Sequence, residues 1–371
     1  MALFGKKKAE TPGLVGVDIG AGGIKAVELI PEKNRVRLAT YGFSELKKYE
    51  DKAPTLLDSP KQAAEILTRI LKEAGIKSRR ANASLPSQSI FHAIITIPRP
   101  KSAKEDIRPA IEAQVKKLAP LPIEEMILDT TVIDKDLLPK LESSEKSEQE
   151  KESDSGKHIR VLVSGAPKDL VAKYVEIFKL AKLELISLET EAFALIRSLV
   201  GKDKARILIV DIGYRRTNIT IVNNGIPFLH RSIQAGGENV TKMMAQQMGV
   251  SHSEAEQSKR DLSMAESDTV LPPVLKEAMM PIMHEVKYAL ELYAAQDFHD
   301  HSSVEKIIIT GGSAQLPQID TFLSETLNLN VYIGDPWARV ATPAALRPVL
   351  DEIGSRFSVA IGLAMKDLEK K

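Results

Sequence analysis

The stretch Leu14-Val15-Gly16-Val17-Asp18-Ile19-Gly20-Ala21-Gly22-Gly23-Ile24-Lys25 decides how this chain is read. An apolar run delivers Asp18 to its end, glycines surround Ala21, and Ile24, Ala26, Val27 and Leu29 lead away. That pattern predicts a buried strand, a tight turn and a second strand. Glycine tolerates positive φ and has no Cβ, so such a turn can aim backbone N–H groups at an anion. Half the chain later the pattern returns as Leu208-Ile209-Val210-Asp211-Ile212-Gly213, followed by Tyr214-Arg215-Arg216-Thr217-Asn218. One such turn occurs in many α/β proteins. Two copies, each opening a strand-turn-strand unit, imply two related α/β lobes. The turn is not a P-loop, because no Gly-x-x-x-x-Gly-Lys-Ser/Thr is present and strand-like sequence follows the glycines. The same context argues against a dinucleotide fingerprint.

At 371 residues the chain exceeds one ordinary core and predicts two domains. Hydrophobic content of 43% and charged content of 27% are those of a soluble globular protein. Lys and Arg number 51 against 50 Asp and Glu, so no basic field points to nucleic acid. The absence of cysteine removes disulfides, thiolate metal sites and cysteine nucleophiles, and fits a reducing cytoplasm. No apolar run approaches the roughly 20 residues of a membrane span. Met1 to Lys8 lacks the apolar stretch of a secretory signal. Leu3 and Phe4 beside Lys6, Lys7 and Lys8 are read as part of a solvated tail, 1–12, rather than a membrane contact.

Periodicity predicts a helix over Gln62 to Ala74, stopped by Gly75, and strands within Ala81 to Ile97 broken at Pro86. Ile111, Val115 and Leu118 predict a helix ending before Pro120. Strand-like runs at Met126 to Ile133 and Ile159 to Val163 flank Pro139 to Lys157, whose Ser, Glu and Lys cannot bury enough surface to order it. Further helices are expected at Lys168 to Leu180, Thr190 to Leu199, Asn239 to Met248 and Val274 to Gln296, with Pro281 starting or kinking part of the last. A buried strand at Val304 to Thr310 and a closing helix at Phe357 to Met365 complete the pattern. His299-Asp300-His301 reads as a solvated helix end. Met243, Met244, Met248, Met279, Met280 and Met283 read as core packing.

Four sequence elements carry chemistry. Asp18 would hold the waters of a Mg²⁺ ion that bridges phosphates, with Gly20, Ala21, Gly22 and Gly23 presenting N–H groups. Lys25 adds charge there or faces solvent. Asp211 and Gly213 repeat the pattern, with Thr217 and Asn218 placed for phosphate oxygens. Arg215 and Arg216 sit beside a terminal phosphate or on a solvent-facing turn. Gly311-Gly312-Ser313 ends a buried strand and lets a base or ribose pack on bare backbone. Glu256 and Lys259 share a helix face that can grip ribose hydroxyls, and Arg260 can stack on adenine. Alone, that last run is an ordinary charged helix.

Phosphate-one, phosphate-two and adenosine motifs in this order resemble the superfamily of actin, hexokinase and the heat-shock ATPases. The resemblance implies an α/β, actin-like, ribonuclease-H-like duplicated two-lobed ATPase fold that holds ATP and Mg²⁺ between its lobes. Gly236-Gly237 before a helix and Glu256-x-x-Lys259-Arg260 resemble the nucleotide sites of the heat-shock and bacterial actin-like members. Glu191-Ala-Phe-Ala194 and Phe357-Ser-Val-Ala-Ile-Gly362-Leu-Ala364 resemble their two connecting helices. The first of these implies that Glu191 positions an attacking water, with Glu189 as competitor; Glu191 and Asp211 are the candidates for catalysis, and Asp18 and Asp211 for the metal.

Within the superfamily the chain is similar to the PilM family of cytoplasmic actin-like proteins of type IV pilus assembly. Gly16 to Leu29, Ala83-Ser84-Leu85-Pro86-Ser-Gln-Ser-Ile-Phe91, Ile97-Pro98 and Leu118 to Glu125 carry that similarity. Ala21-Gly22-Gly23 stands where the family has serines, which leaves only backbone donors. The resemblance implies a lobe I core at 13–85 completed by 184–205 and 348–371, and an inserted subdomain, of the type called IC, at 86–183 with a disordered loop at 139–157. A lobe II core at 206–240 and 300–347 and a helical subdomain at 241–299 follow. It also implies slow hydrolysis at most, other pilus platform components as partners, a cytoplasmic place peripheral to the inner membrane, and a PilN-like membrane protein whose N-terminal cytoplasmic peptide docks by the insertion. The alternatives are an FtsA-like division protein and a sugar or metabolite kinase of the same fold. The first predicts a C-terminal amphipathic helix, for which Met365 to Lys371 is too short and polar. The second predicts a sugar-binding run, and none is visible.

Overall fold

The computed structural model describes residues 13–33, 35–45, 55–100, 105–133, 158–263, 271–295 and 303–368. The expected tail at 1–12, the expected loop at 139–157 and His299 to His301 lie outside the described residues. Strands β1 (Leu14–Gly20), β2 (Gly23–Glu32) and β3 (Arg35–Phe43) form an antiparallel meander, α1 (Pro60–Glu73) follows, and β4 (Arg80–Leu85) returns parallel to β1. Next come β5 (Phe91–Pro98), α2 (Arg108–Leu118), β6 (Met126–Ile133) and β7 (His158–Pro167), a separate sheet of order β5-β7-β6. Then α3 (Lys168–Leu180), β8 (Glu184–Thr190) and α4 (Glu191–Leu195) lead to a second meander of β9 (Ile207–Ile212), β10 (Thr217–Asn223) and β11 (Ile226–Ile233). Helices α5 (Gly237–Met248), α6 (His252–Ser263) and α7 (Pro273–Ala294) precede β12 (Lys306–Thr310), α8 (Ile319–Leu327), β13 (Asn330–Ile333), β14 (Val340–Ala341) and α9 (Arg347–Met365).

The chain divides into two compact units. One comprises Met1–Ser84, Val175–Leu199 and Asp335–Lys371; the other comprises Leu85–Tyr174 and Val200–Gly334. The first holds a sheet of order β14-β3-β2-β1-β4-β8, the second a sheet of order β11-β10-β9-β12-β13. Without β14 the two orders trace the same path, a three-stranded meander with a parallel strand added beside its first member. Even the register shift recurs, between Glu28 and Leu29 on β2 and between Ile221 and Val222 on β10. Such a bulge sharpens local twist. The repeated turn motifs therefore sit at equivalent places in two copies of one design.

Local signals explain most boundaries. Pro60 starts α1, and Gly75 and Gly249 turn the chain beyond α1 and α5 with φ of +66° at both. Pro281 lies inside α7, which runs on through it, so it starts nothing there. The helix expected to reach Leu199 is α4 for five residues and then widens to a π-turn over Ile196–Val200. Five strands escape the sequence pattern: β3 and β11, which complete the meanders, and β8, β13 and the two-residue β14, which lie at sheet edges.

In the first unit, close backbone contact makes the core. A Cβ on Gly16 of β1 would lie 1.9 Å from the Ala360 carbonyl oxygen of α9, and one on Gly362 would lie 1.9 Å from that of Ala194. Glycine at both positions lets α9 press against a strand on one side and against α4 on the other. Fully buried Asn82 of β4 donates to the Leu363 carbonyl at 3.1 Å and accepts from Ser187 of β8 at 2.8 Å, so α9, β4 and β8 are tied at one point. Gly362→Ala is expected to lower unfolding free energy by about 3 kcal/mol in urea denaturation, because backbone on both sides must move.

In the second unit α5 and α7 cover one face of the sheet. Met244, Met279 and Met283 are buried there, whereas Met248 and Met280 are exposed, so the core reading fits three of the six expected methionines fully. The three-stranded sheet meets the meander through His92 of β5 and His230 of β11, whose ring centroids lie 6.4 Å apart. His92 Nδ1 lies 3.1 Å from the Ser164 hydroxyl, and His230 Nδ1 3.0 Å from that of Thr220. Burial lowers both imidazoles to about 4, and the His92 ring adds to the effect at His230. Both rings are therefore neutral when folded and titrate near 6.5 when unfolded. Stability is fully present above pH 6.5 and is lost as pH falls toward 4, by up to about 3 kcal/mol for each ring. Urea midpoints taken from pH 7.5 to 4.5 are expected to drop along that slope, and the double change His92→Gln, His230→Gln is expected to flatten it.

Candidate functional site

The first hairpin is a two-residue turn, with Gly20 paired to Gly23 and Asp18 to Lys25. Asp18 is buried, its Oδ2 sits 2.9 Å from Lys25 Nζ, and Ser84 of β4 donates to its Oδ1 at 3.3 Å. Lys25 thus turns to the carboxylate rather than to solvent. Gly23 has φ of +133°, and a Cβ there would meet the Ser44 carbonyl oxygen at 2.0 Å, so its glycine is a packing requirement. Gly20 and Gly22 are half-buried, and Ala21 is exposed at the tip.

Two carboxylates compete on the stretch that enters α4. Glu189 is held by Arg197 at 2.6 Å and Lys366 at 3.2 Å, and Arg197 also donates to the Gly362 carbonyl. Glu189 is therefore a structural anchor. Glu191, on the first turn of α4, is half-buried.

The second unit gathers the other expected elements around the start of α5. Gly213 accepts from the Gly237 N–H at 2.9 Å, and Tyr214 from the Glu238 N–H at 2.8 Å, which docks the β9–β10 turn on the helix. A Cβ on Gly236 would meet the carbonyl oxygens of Gly213 at 2.6 Å and Tyr214 at 2.8 Å. One on Gly237 would meet Ser313 Oγ at 2.6 Å and Lys259 Nζ at 3.4 Å. One on Gly311, whose φ is +91°, would meet Asp211 Oδ1 at 2.6 Å. Thus β9, the β12 loop, α5 and α6 converge so closely that only glycine fits at these positions. Gly312 continues that loop.

Behind this cradle lies a buried charged cluster. Lys259 Nζ donates to the Gly237 carbonyl at 3.0 Å, to Thr241 Oγ1 at 2.8 Å and to Glu256 Oε2 at 2.6 Å. Those contacts use all three ammonium protons. Expected to grip a ribose, Lys259 instead fixes the backbone that would face one. Thr241 donates to Glu256 Oε2 at 2.6 Å, and Arg260 Nε to Glu256 Oε1 at 3.2 Å. Burial pushes the Glu256 carboxyl up, but Lys259 and the hydrogen bonds from Lys259, Thr241 and Arg260 outweigh it and hold it below the usual range. Arg260 keeps much of its surface exposed. Thr217, expected on a phosphate, is fully buried and donates its hydroxyl to the Ala235 carbonyl at 2.7 Å. Arg216 and Asn218 are half-buried in the turn, and Arg215 Nε lies 3.4 Å from Glu238 Oε2.

The groups left to a ligand fit a nucleotide: exposed backbone at Gly312, a hydroxyl at Ser313, and guanidinium groups at Arg215, Arg216 and Arg260, whereas the Gly236 and Gly237 N–H groups are spent on Asn239 Oδ1 at 3.1 Å and the Gly213 carbonyl at 2.9 Å. Sequence reasoning missed Ser84, Thr241 and Glu238. Only Glu238 carried a signal, as an acidic residue in the first turn after two glycines. Among the described residues no helix is long and apolar enough to cross a membrane, and no group of three or more His, Asp or Glu is placed to hold a metal ion.

The sequence profile of the family described as Type IV pilus assembly protein PilM matches residues 16–368. The cell division protein FtsA of Bacillus subtilis (strain 168) is 24% identical over 257 residues, which are 62% of this chain and 56% of FtsA. The match thus spans little more than half the length of that relative. A PilM-PilN type IV pilus biogenesis complex aligns with TM-score 0.77 and 22% identity over 96% of this chain and 99% of its own. MreB5 of Spiroplasma citri bound to ADP aligns with TM-score 0.51 and 15% identity over 96% of each chain. These structural likenesses establish the fold.

Lys259→Met would leave the Glu256 carboxylate buried without its ammonium. It is expected to cost about 3 kcal/mol at pH 7 by urea unfolding, with Lys259→Met, Glu256→Gln regaining part. Because the Glu256 pKa is depressed, its contribution is present above the usual glutamate range and lost as pH falls through the folded value, so the single-variant deficit is expected to shrink in acid.

Proposed function

The chain belongs to the Type IV pilus assembly protein PilM family, and from that premise we propose that it is a cytoplasmic ATP-binding component of the inner-membrane assembly platform. Its membrane association is peripheral, through partners. One observation carries the nucleotide reading. Residues from four separate stretches, Gly213, Gly236-Gly237, Lys259 and Gly311 to Ser313, meet within one compact unit at the start of α5. The ADP held by the similarly folded MreB5 supports the ligand class.

In this reading Arg260 meets the adenosine, and Glu256 and Lys259, expected on the ribose, hold Arg260 and the α5 backbone in place. Gly312 and Ser313 offer backbone and hydroxyl donors, and Gly236, Gly237 and Gly311 shape the site by the close packing that only glycine allows. Gly213, Arg215, Arg216 and Asn218 serve the phosphates, with Thr217 fixing the turn from behind. Asp18, Gly20, Ala21, Gly22, Gly23 and Lys25 form the other unit's phosphate hairpin. Asp18 and Asp211 would hold Mg²⁺, which would neutralise phosphate charge, and Glu191 would orient a water for slow turnover.

The partner in this reading is the N-terminal cytoplasmic peptide of a PilN-like inner-membrane protein; the similarly folded PilM-PilN complex supports a PilN-type partner. Strand β6 is an edge of the three-stranded sheet and exposes Ile127 and Val132 at 46% each. An extended peptide can add backbone hydrogen bonds at such an edge and bury those side chains. Nucleotide state tunes that contact.

Calorimetric titration with a PilN-type N-terminal peptide, with and without Mg-ATP, is expected to show binding that shifts at least about fivefold between the two states, a coupling of about 1 kcal/mol. No peptide binding in either state would overturn the pilus reading. Asp18→Ala is expected to weaken ATP binding by about tenfold or more, and an unchanged affinity would overturn the nucleotide reading.

A further inference from the structure

Glu238 is the second residue of α5, directly after Gly236-Gly237. It is 7% exposed, and its Oε1 accepts no hydrogen bond among the described residues. Its Oε2 lies 3.4 Å from Arg215 Nε, longer than the roughly 2.7–2.9 Å of a well-formed charged hydrogen bond. The helix start favours a carboxylate there, yet one oxygen stays buried and unsatisfied, an arrangement that costs free energy until something meets it. Backbone bonds from Gly237 to Gly213 and from Glu238 to Tyr214 hold the turn carrying Arg215 against this carboxylate. Glu238 therefore faces the same turn that the phosphates are proposed to occupy.

We infer that Glu238 determines which polyphosphate the second hairpin accepts, by selecting for one that carries its own divalent cation. The inference rests on the nucleotide reading above. A bare polyphosphate must draw Arg215 away, which strands Glu238 as an unpaired buried charge, and its own negative charge then faces the carboxylate. A metal-bound polyphosphate draws Arg215 away equally, but the cation's hydration shell supplies donors and positive charge for the freed carboxylate. The guanidinium is thus exchanged for the cation, and the count of buried charges stays balanced. Removing the Glu238 charge should relieve the penalty on the bare ligand and leave the metal-bound ligand little changed.

The test is calorimetric binding of ATP to the full chain, with excess Mg²⁺ and with EDTA. The natural protein is expected to bind Mg-ATP at least about tenfold more tightly than ATP in EDTA. Glu238→Gln is expected to tighten the EDTA arm by about tenfold and so to narrow the gap, at an unchanged melting temperature or a raised one. Arg215→Gln gives a second reading that does not depend on Glu238→Gln folding. It is expected to lose about tenfold in EDTA and less than about threefold with Mg²⁺. A gap in Glu238→Gln equal to that of the natural protein would overturn the inference, as would equal losses in both arms for Arg215→Gln. Either result, with tight Mg-ATP binding by the natural protein, would leave the nucleotide reading standing. No ATP binding by the natural protein in either arm would overturn both.

Discussion

Approach to the backbone so close that only glycine permits it is the constraint on which both units depend. Gly16 and Gly362 let α9 lie on β1 and α4 in the first unit, and Gly236, Gly237 and Gly311 let a turn, a helix start and a strand end meet in the second. A methyl group at these positions would fall 1.9–2.6 Å from carbonyl oxygens, a hydroxyl or a carboxylate. At Gly16, Gly236 and Gly362, where backbone meets backbone, such packing transmits small displacements, since no flexible side chain is there to absorb them.

Charge is handled on a related principle. The Lys259–Glu256 pair is buried, yet every ammonium proton and both carboxylate oxygens have partners. Full satisfaction is the condition under which a buried ion pair fixes geometry without a large net cost. Glu238 breaks that pattern nearby, with one oxygen met loosely and the other not at all. A saturated pair thus lies behind the cradle and an unsaturated one at its rim, where the proposed ligand would meet it.

Much of this was legible beforehand. The two Asp-Ile-Gly turns announced the duplication, and the strand orders repeat it. The helices with clear stops, α1 at Gly75 and α5 at Gly249, fell where periodicity placed them. Strands β3, β8 and β11 were hidden because they are only partly buried, so their apolar positions do not alternate cleanly. Site residues were legible by type but less so by task. Thr217 and Lys259 carry the polar groups expected of ligands, yet each spends them on backbone carbonyls that only the folded chain brings near. Glu189 and Glu191 were indistinguishable until Arg197 and Lys366, distant in sequence, claimed the first.

The placement of α9 has a consequence for biosynthesis. Strand β1 begins at Leu14, but the helix that covers Gly16 spans Arg347–Met365, so more than 300 residues intervene. At about 5–20 residues per second, the ribosome needs roughly 15–60 s to deliver that cover. Until then the first meander can form its hydrogen bonds but keeps one apolar face bare. The second unit, built from Leu85–Tyr174 and Val200–Gly334, has all its strands before α9 is made. The order of completion on the ribosome is thus the reverse of the order in the chain. The segment translated first is sealed last, and it is the one exposed to chaperones and to mispairing for longest.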